Sequence, residues 1–141
     1  MKLYSWANVI LLVNGIEING FDEGDDVVKG ERTKDSAQDK VGVDGEMSVS
    51  YTQDKSGTIT IRLQQTSDSN AFLNSLVVAA ENGAFVPVAV LLRNTITTET
   101  AGGSQGYIKR VPNISRGENV TSQEWMIRLE RYDLIQPVLE V

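Results

Sequence analysis

The stretch DKSGTITIRLQQTSDSN, residues 54–70, combines a strand pattern with the start of a helix pattern. Its first half alternates residue by residue, so apolar and polar side chains fall on opposite sides of an extended chain. The apolar side holds Ile59, Ile61 and Leu63; the polar side holds Thr58, Thr60, Arg62 and Gln64. This period of two predicts a strand with one face on a core and the other in water, as in an antiparallel sheet.

Helical spacing follows and predicts one α-helix over about residues 67–82. Ser67 or Asp68 is a suitable N-cap, and Asn82-Gly83 is a suitable end. The apolar residues of this segment recur at helical spacing: Phe72, Leu73, Leu76, Val77 and Ala80. We expect the helix to pack on the sheet through this stripe.

Two hairpins are predicted before the helix. Asn14-Gly15 separates two apolar runs and suits a tight turn with positive φ at both positions. Residues 45–54, GEMSVSYTQD, alternate between an apolar set and a polar set, and a turn at residues 54–57 would bring them back against the strand above. This predicts a hairpin over residues 46–66 whose apolar face, Met47, Val49, Tyr51, Ile59, Ile61 and Leu63, packs in the core.

Three strands are predicted after the helix. Residues 85–100 form a long strand region, 101–106 a glycine-rich turn, and 107–112 a strand that pairs back. Residues 120–135 form the last strand, with Trp125, Ile127 and Leu129 on one side. On the other side lie Arg128, Glu130 and Tyr132.

Residues 22–45 have a different composition, dense in charges of both signs and poor in large apolar residues. They predict an extended, solvated arm or loop, which at this length is usually functional or disordered. Its carboxylates at 22, 23, 25 and 26 lack the ligand spacing of a calcium loop, so an acidic surface is favoured over a cation site.

Together these elements predict a mainly β protein: an antiparallel β-sandwich or barrel with one flanking α-helix. We interpret residues 1–141 as a single domain with a charged arm at about 22–45.

Composition narrows the function. The chain has no cysteine, which excludes thiolate zinc sites, and no histidine, which excludes Ser-His-Asp triads. Its net charge of −6 argues against a protein that binds nucleic acid through its phosphates. We therefore predict no enzyme, no metal and no cofactor. No run approaches the 18 or more apolar residues of a membrane span, and residues 1–17 do not form a complete signal peptide, so a cytoplasmic, non-membrane protein is expected.

Several segments, spread over the whole chain, jointly resemble the tail tube proteins of contractile-tailed bacteriophages. They are YSWANV (4–9), INGFDEGD (18–25), ERTKD (31–35), VGVDGE (41–46), DKSGTITIRLQQTSDSN (54–70) and EWMIRLERYDLI (124–135). The resemblance implies a tube-protein fold, shared with the type VI secretion tube. Six copies would form a ring whose strands join into one barrel, and the rings would stack into a hollow tube.

The same resemblance implies partners and a location. The subunit would contact itself, the tail sheath, the baseplate and the tail terminator, with the tape measure protein and DNA inside the lumen without specific binding. It would be assembled in the host cytoplasm and would end in the virion. The acidic total would repel passing DNA from the wall.

Under this resemblance the polar hairpin face is expected to line the lumen, and the arm to contact the next ring or subunit. The lumen candidates are Glu46, Ser48, Ser50, Thr52, Thr58, Thr60, Arg62 and Gln64, with Arg62 paired to Glu46 across the hairpin. The contact candidates are Asp22, Glu23, Asp25, Asp26, Lys29, Glu31, Arg32, Lys34, Asp35, Asp39 and Lys40.

Three alternatives remain open. The chain could be another ring of the same tail, such as a terminator or baseplate component. It could be a type VI-like secreted tube protein. It could also be an enzyme or a small-molecule binder on a β-sandwich, which would need a concave site with convergent polar groups, and the sequence nominates none.

Overall fold

The computed structural model describes residues 1–137 and contains two antiparallel sheets, a separate two-stranded sheet and one α-helix. A short 3-10 helix, Trp6–Asn8, precedes the first strand. The elements that follow are β1 Val9–Val13, β2 Ile16–Glu17, β3 Val28–Arg32, β4 Ala37–Val41, β5 Met47–Tyr51, β6 Gly57–Gln64, α1 Ser69–Glu81, β7 Val90–Asn94, β8 Thr100–Gly103, β9 Gly106–Arg110, β10 Ser122–Leu129 and β11 Asp133–Ile135. The predicted mainly β fold with one helix is confirmed.

The core lies between the two larger sheets. One sheet has the order β11-β8-β7-β1-β2, and the other has the order β3-β6-β10-β9. Leu11 and Val13 of β1 and Val90 of β7 join one buried cluster with side chains of β6 and β10. Because each sheet turns its apolar face to the other, the arrangement is a sandwich.

The quoted strand lies inside the four-stranded sheet, as its alternation predicts. In β6, Ile59, Ile61 and Leu63 are at most 1% exposed, and the residues between them keep contact with solvent. Ile61 is aligned with Trp125 of β10, itself 1% exposed. The predicted burial of the apolar faces of both strands is therefore confirmed.

The helix lies within the predicted range and is anchored by polar contacts at its start. Leu73 is fully buried, and Phe72, Leu76 and Val77 pack on the core cluster. Asp68 occupies the N-cap position, but its side chain makes no capping hydrogen bond. The Ser67 hydroxyl instead accepts a hydrogen bond from the Ser69 amide at 3.2 Å. Asn70 accepts a hydrogen bond from the indole of Trp125 at 2.9 Å and donates one to the Gln64 carbonyl at 2.8 Å.

The predicted Asn14-Gly15 hairpin is present, with φ of 52° and 80° at the two turn residues. Its second strand, β2, covers only two residues. The first of them, Ile16, is exposed. Ile18, just beyond β2, is 1% exposed and donates its amide to the Leu11 carbonyl at 2.9 Å.

The predicted hairpin over residues 46–66 is wrong. β5 pairs with β4, whereas β6 pairs with β3 and β10. Met47, Val49 and Tyr51 are 57%, 54% and 76% exposed, so they do not pack in the core as expected. The alternation of β5 was recognised correctly, but its partner strand lies before it in the chain rather than after it.

The charged segment of residues 22–45 contains two strands that the composition did not predict. β3 lies at an edge of the four-stranded sheet, where Val28 aligns with Ile61 of β6. β4 and β5 form a hairpin of their own, closed by the turn of residues 42–46. Charged residues are tolerated here because β3 is an edge strand and every residue of β4 is exposed.

The strands after the helix differ from the prediction in their bounds and partners. Within the predicted strand 85–100, β7 covers residues 90–94. It ends there because Asn94 begins a turn, in which its side-chain oxygen accepts a hydrogen bond from the Ile96 amide at 3.0 Å. The predicted turn 101–106 is largely strand, with a bend at Ser104 and Gln105. β9 pairs with β10 and β8 pairs with β7, so the chain crosses between sheets at this bend.

The predicted last strand is broken by residues 130–132 into β10 and β11, which belong to different sheets. Tyr132, expected on the polar side, is 8% exposed and packs over two glycines of the four-stranded sheet. A Cβ at Gly30 would lie 2.7 Å from the Tyr132 hydroxyl oxygen, and a Cβ at Gly57 would lie 2.5 Å from its Cβ. The ring occupies the space that those side chains would fill.

Candidate functional site

The outer face of the four-stranded sheet is the first surface without a partner in residues 1–137. Register groups its residues into rows: Glu31, Thr58, Arg128 and Tyr107 lie side by side, and Lys29, Thr60 and Met126 form the next row. Four predicted lumen residues lie on this face, all of them on β6: Thr58, Thr60, Arg62 and Gln64.

Arg62 forms its ion pair with a residue other than the predicted one. Its guanidinium lies 3.0 Å from the Asp26 carboxylate and donates to the Glu23 carbonyl oxygen at 3.0 Å. The predicted pair with Glu46 does not form, because β5, which follows Glu46, pairs with β4 and not with β6. Arg62 therefore ties the loop that precedes β3 to the outer face of the sheet.

The β4–β5 hairpin is the second surface, and it is amphipathic. Cross-strand alignment joins Val41 to Met47, Asp39 to Val49 and Ala37 to Tyr51 on one face. The other face carries Gln38 with Ser50 and Lys40 with Ser48. The polar face includes the lumen candidates Ser48 and Ser50, and Glu46 and Thr52 flank β5. All residues of β4 and β5 are exposed, so the apolar face has no cover within residues 1–137.

The predicted contact residues occupy three places. Asp22, Glu23, Asp25 and Asp26 lie in the loop before β3; Lys29, Glu31 and Arg32 lie on β3; and Lys34, Asp35, Asp39 and Lys40 lie at the base or on the first strand of the hairpin. They follow one another along the chain, but they do not converge on one point.

Ion pairs within the chain already hold some of these residues. Arg32 contacts Asp133 at 3.1 Å and donates to the Tyr132 carbonyl, which links β3 to β11 of the facing sheet. Lys34 lies 3.6 Å from Asp54. Hydrogen bonds from Ser56 lower the pKa of Asp54, with a smaller contribution from Lys34. These contacts fix the base of the hairpin, while its strands remain uncovered.

The sequence prediction did not name the outward residues of β9 and β10 as site residues. Tyr107, Lys109 and Arg110 on β9 are exposed, and Arg128 on β10 is half-buried. Arg128 donates a hydrogen bond to the Ser56 hydroxyl at 3.1 Å. The alternation of residues 120–130 already assigned Arg128 to the polar side, but its neighbours depend on pairing that local patterns do not reveal.

A cleft of ≈ 630 Å³ opens between the loop before β3 and the strands β1 and β7. Aromatic and aliphatic residues line it together with carboxylates; among them are Tyr4, Trp6, Phe21, Leu92, Asp22, Glu23 and Asp25. Within residues 1–137, no group of three or more His, Cys, Asp or Glu side chains could hold a metal ion. Two groups have a shifted pKa: burial raises the pKa of Tyr132, and hydrogen bonds from Ser56 lower the pKa of Asp54. Neither residue lines this cleft.

In the part of the chain that the structure describes, no helix has the length and apolar character needed to cross a membrane.

Solved structures share this fold. The anti-feeding prophage cap, a tube-terminating cap, superposes with a TM-score of 0.69 at 11% identity, covering 97% of this chain and 93% of the other. The sheath-tube complex of the extracellular contractile injection system PVC gives 0.64 at 14% identity, with coverage of 94% and 91%. The sheath/tube terminator of that system gives 0.66 at 14% identity, with coverage of 96% and 98%. At these identities the likeness shows the fold alone.

Sequence comparison identifies the family. No curated protein matches the chain in sequence. The family model of the bacteriophage PhiTE tail tube protein matches residues 1–136, which is nearly the whole chain. The predicted resemblance to phage tail tube proteins is thereby confirmed, and the chain belongs to the bacteriophage PhiTE tail tube protein family.

Proposed function

We propose that this chain is the structural, non-enzymatic subunit of a phage tail tube, in which rings of six copies stack around a lumen that DNA crosses. The observation that carries the proposal is the four-stranded sheet with two edges, β3 and β9. All its strand pairs are antiparallel, so β3 and β9 run in opposite directions. Joining β9 of one copy to β3 of the next therefore continues one antiparallel barrel and removes both edges.

The lumen wall in this proposal is the outer face of that sheet. The β6 residues Thr58, Thr60, Arg62 and Gln64 would face the lumen, together with their neighbours on β3, β9 and β10. The opposite face of β6 is buried in the core, so only this side is available to line a channel. Glu46, Ser48, Ser50 and Thr52 would extend the wall along the polar side of the hairpin.

The hairpin would join successive rings. Its exposed apolar face would be covered by the next ring, since burial of such surface stabilises association. The predicted contact residues, from Asp22 to Lys40, would meet the neighbouring subunit or ring beside the hairpin. In the isolated subunit this surface remains in water, which favours assembly.

The external partners follow from the family. A tail sheath would surround the tube, and the baseplate and terminator would cap its ends, with the tape measure protein inside. The neighbours in fold come from a sheath-tube complex, a terminator and a tube-terminating cap, which supports partners of this kind. The subunit would be assembled in the host cytoplasm and would end in the virion.

A terminator or cap is the second candidate. The cap and the terminator give TM-scores of 0.69 and 0.66, against 0.64 for the sheath-tube complex. A terminator would form one closed ring, whereas a tube subunit would stack without limit. A type VI-like secretion tube would stack as well, and its genetic neighbours rather than its assembly would distinguish it.

The test is electron microscopy of negatively stained, purified protein over a concentration series. We expect stacked rings or hollow tubes that lengthen as the protein concentration rises. Single rings that never stack would favour the terminator, and a monomer at all concentrations, even with baseplate supplied as a nucleus, would contradict the proposal.

Two adjacent substitutions separate the faces of the hairpin. Val49→Asp introduces a carboxylate on the apolar face, and Ser48→Asp introduces the same charge on the polar face one residue away. We expect Val49→Asp to abolish stacking because it would place a second carboxylate directly opposite Asp39 in the ring contact. Ser48→Asp should still form tubes. Equal loss in both variants would exclude the apolar face as the specific contact.

A further inference from the structure

We propose that residues 111–116 of one copy, the segment that follows β9, fill the cleft beside β3 in a second copy of this chain. The segment has the sequence VPNISR and is called the β9 extension here. The inference rests on the proposed function, in which β9 of one copy joins β3 of the next. It adds to that function an occupant for the cleft of ≈ 630 Å³.

The directions of the two edge strands bring the β9 extension to the cleft. The cleft opens at the start of β3, where Val27 and Val28 line it together with the loop that precedes them. β9 and β3 are the two edges of the four-stranded sheet and run in opposite directions. When β9 of one copy pairs with β3 of another, residues after Arg110 therefore pass beside residues before Val28.

The β9 extension leaves the sheet and has no cover in its own copy. β9 ends at Arg110, and Pro112 has no amide hydrogen to donate to a strand ladder. Residues 111–121 form neither strand nor helix, and residues 113–120 are all exposed. Because β6 and β10 lie between β9 and β3, none of these residues lines the cleft of the same copy.

The apolar side chains of the β9 extension match the cleft. Val111 and Ile114 are 47% and 77% exposed, so both leave hydrophobic surface in water in the single subunit. In the cleft, Tyr4 and Trp6 present aromatic surface that is also exposed. Contact between these surfaces would remove both from water, which is the main favourable term in protein association.

The charges of the two surfaces are opposite. Within residues 1–137, the lining of the cleft contains carboxylates but no Lys or Arg: Asp22, Glu23, Asp25 and Glu99. The β9 extension contains Arg116 and no carboxylate, and Lys109 and Arg110 precede it. In the same part of the chain, none of these acidic or basic groups forms an ion pair. Complementary charge of this kind would fix which surfaces of two copies meet.

The test is disulfide cross-linking of the assembled protein, since the chain has no cysteine of its own. Ile114→Cys is combined in turn with Glu23→Cys, Asp25→Cys or Glu99→Cys, which places one thiol in the β9 extension and one in the cleft. The control combines Ile114→Cys with Glu81→Cys, an exposed position at the end of α1. Copper phenanthroline oxidises each protein, and a non-reducing gel separates the products. Far-UV circular dichroism checks that all variants are folded.

We expect loss of the monomer band in at least one cleft variant, because a disulfide forms only where the two Cα atoms lie within about 7 Å. The products should be a ladder of covalent multimers that ends at six copies, as the closed ring of the proposed function requires. The control should remain monomeric.

Three results would overturn the inference. The first is an absence of multimers in all three cleft variants. The second is a control that cross-links as completely as the cleft variants, which would show random collision. The third is a ladder that continues beyond six copies, because the contact would then join one ring to the next.

The proposed function can fail separately. Rings or tubes seen in the electron microscope without cross-links would retain the proposed function and reject the inference. Specific cross-linking of two copies, in protein that forms neither rings nor tubes, would retain the contact and reject the tube.

Discussion

At the scale of single residues, the contact between Trp125 and Asn70 joins the helix to the four-stranded sheet. The indole is 1% exposed and donates to the Asn70 side-chain carbonyl at 2.9 Å. The Asn70 amide then donates to Gln64 at the end of β6. Three elements therefore meet in one small polar network inside an apolar core, where an unpaired group is costly.

We expect Trp125→Phe to lower the free energy of unfolding by about 2–4 kcal/mol, because it leaves Asn70 Oδ1 without its donor and leaves a void. Trp6→Phe is the matched control, since Trp6 is 43% exposed and contacts Phe21 edge to face. The control should lose about 1 kcal/mol or less. Urea denaturation measures both, and equal losses would contradict the role assigned to the network.

We expect Gly102→Ala to lower the free energy of unfolding by at least about 2 kcal/mol. Gly102 has a φ of +138°, and an added Cβ would overlap the carbonyl oxygen of Val90 in the neighbouring strand. Gly117→Ala is the control, because nothing lies within 4 Å of an added Cβ there. That variant should stay within about 0.5 kcal/mol of the wild type in the same urea titration.

The sequence predicted single residues well where the evidence was local. The buried faces of β6 and β10 follow from alternation, so Ile59, Ile61 and Trp125 were assigned correctly. Tyr132 was not, because its burial depends on Gly30 and Gly57, which are far away in sequence. Asn70 was missed for the same reason: its partner Trp125 is 55 residues away.

At the scale of elements, the β4–β5 hairpin is attached to the rest of residues 1–137 at its base. The Thr52 amide donates to the Ser36 carbonyl at 3.0 Å, which brings the two ends of the hairpin together. None of its strand residues is buried. Its removal should therefore leave the core intact.

We expect replacement of residues 37–51 by Asn-Gly to change the free energy of unfolding by less than about 1 kcal/mol, because no buried residue is lost and the new turn suits a closed strand pair. The same variant should no longer form tubes. Urea denaturation and electron microscopy measure the two effects. A large loss of stability would show that the hairpin packs on the sandwich.

The partner of β5 could not be predicted from its pattern. Alternation shows which side chains share a face, but the same alternation fits any partner strand. The short turn at residues 54–57 favoured pairing with β6. The true partner, β4, was not predicted as a strand because residues 37–41 lie in a segment of high charge. The outer face of the four-stranded sheet was predicted only in part, because β3 and β9 join it by pairing that the sequence does not display.

At the scale of the whole molecule, one apolar cluster unites both sheets and the helix. Leu11 of β1, Leu73 of α1 and Ile127 of β10 all belong to it. Neither sheet can expose its inner face without exposing the other, so unfolding should be cooperative.

We expect a single unfolding transition in urea, with the same midpoint by tryptophan fluorescence and by far-UV circular dichroism. The measurement is best made in Trp6→Phe, in which Trp125 is the only remaining tryptophan and reports on the core. Two separate midpoints would show that part of the sandwich unfolds independently.

The position of β10 has a consequence for biosynthesis. β6 lies between β3 and β10, and 65 more residues must be made after Gln64, its last residue, to complete β10 at Leu129. At about 5–20 residues per second, the ribosome needs roughly 3–13 s to make them. During that interval the nascent chain carries Ile59, Ile61 and Leu63 beside an open strand edge. Because the proposed tube would need many copies at once, polysomes crowded with such chains would be exposed to co-aggregation, and chaperones would have to protect this strand before β10 is made.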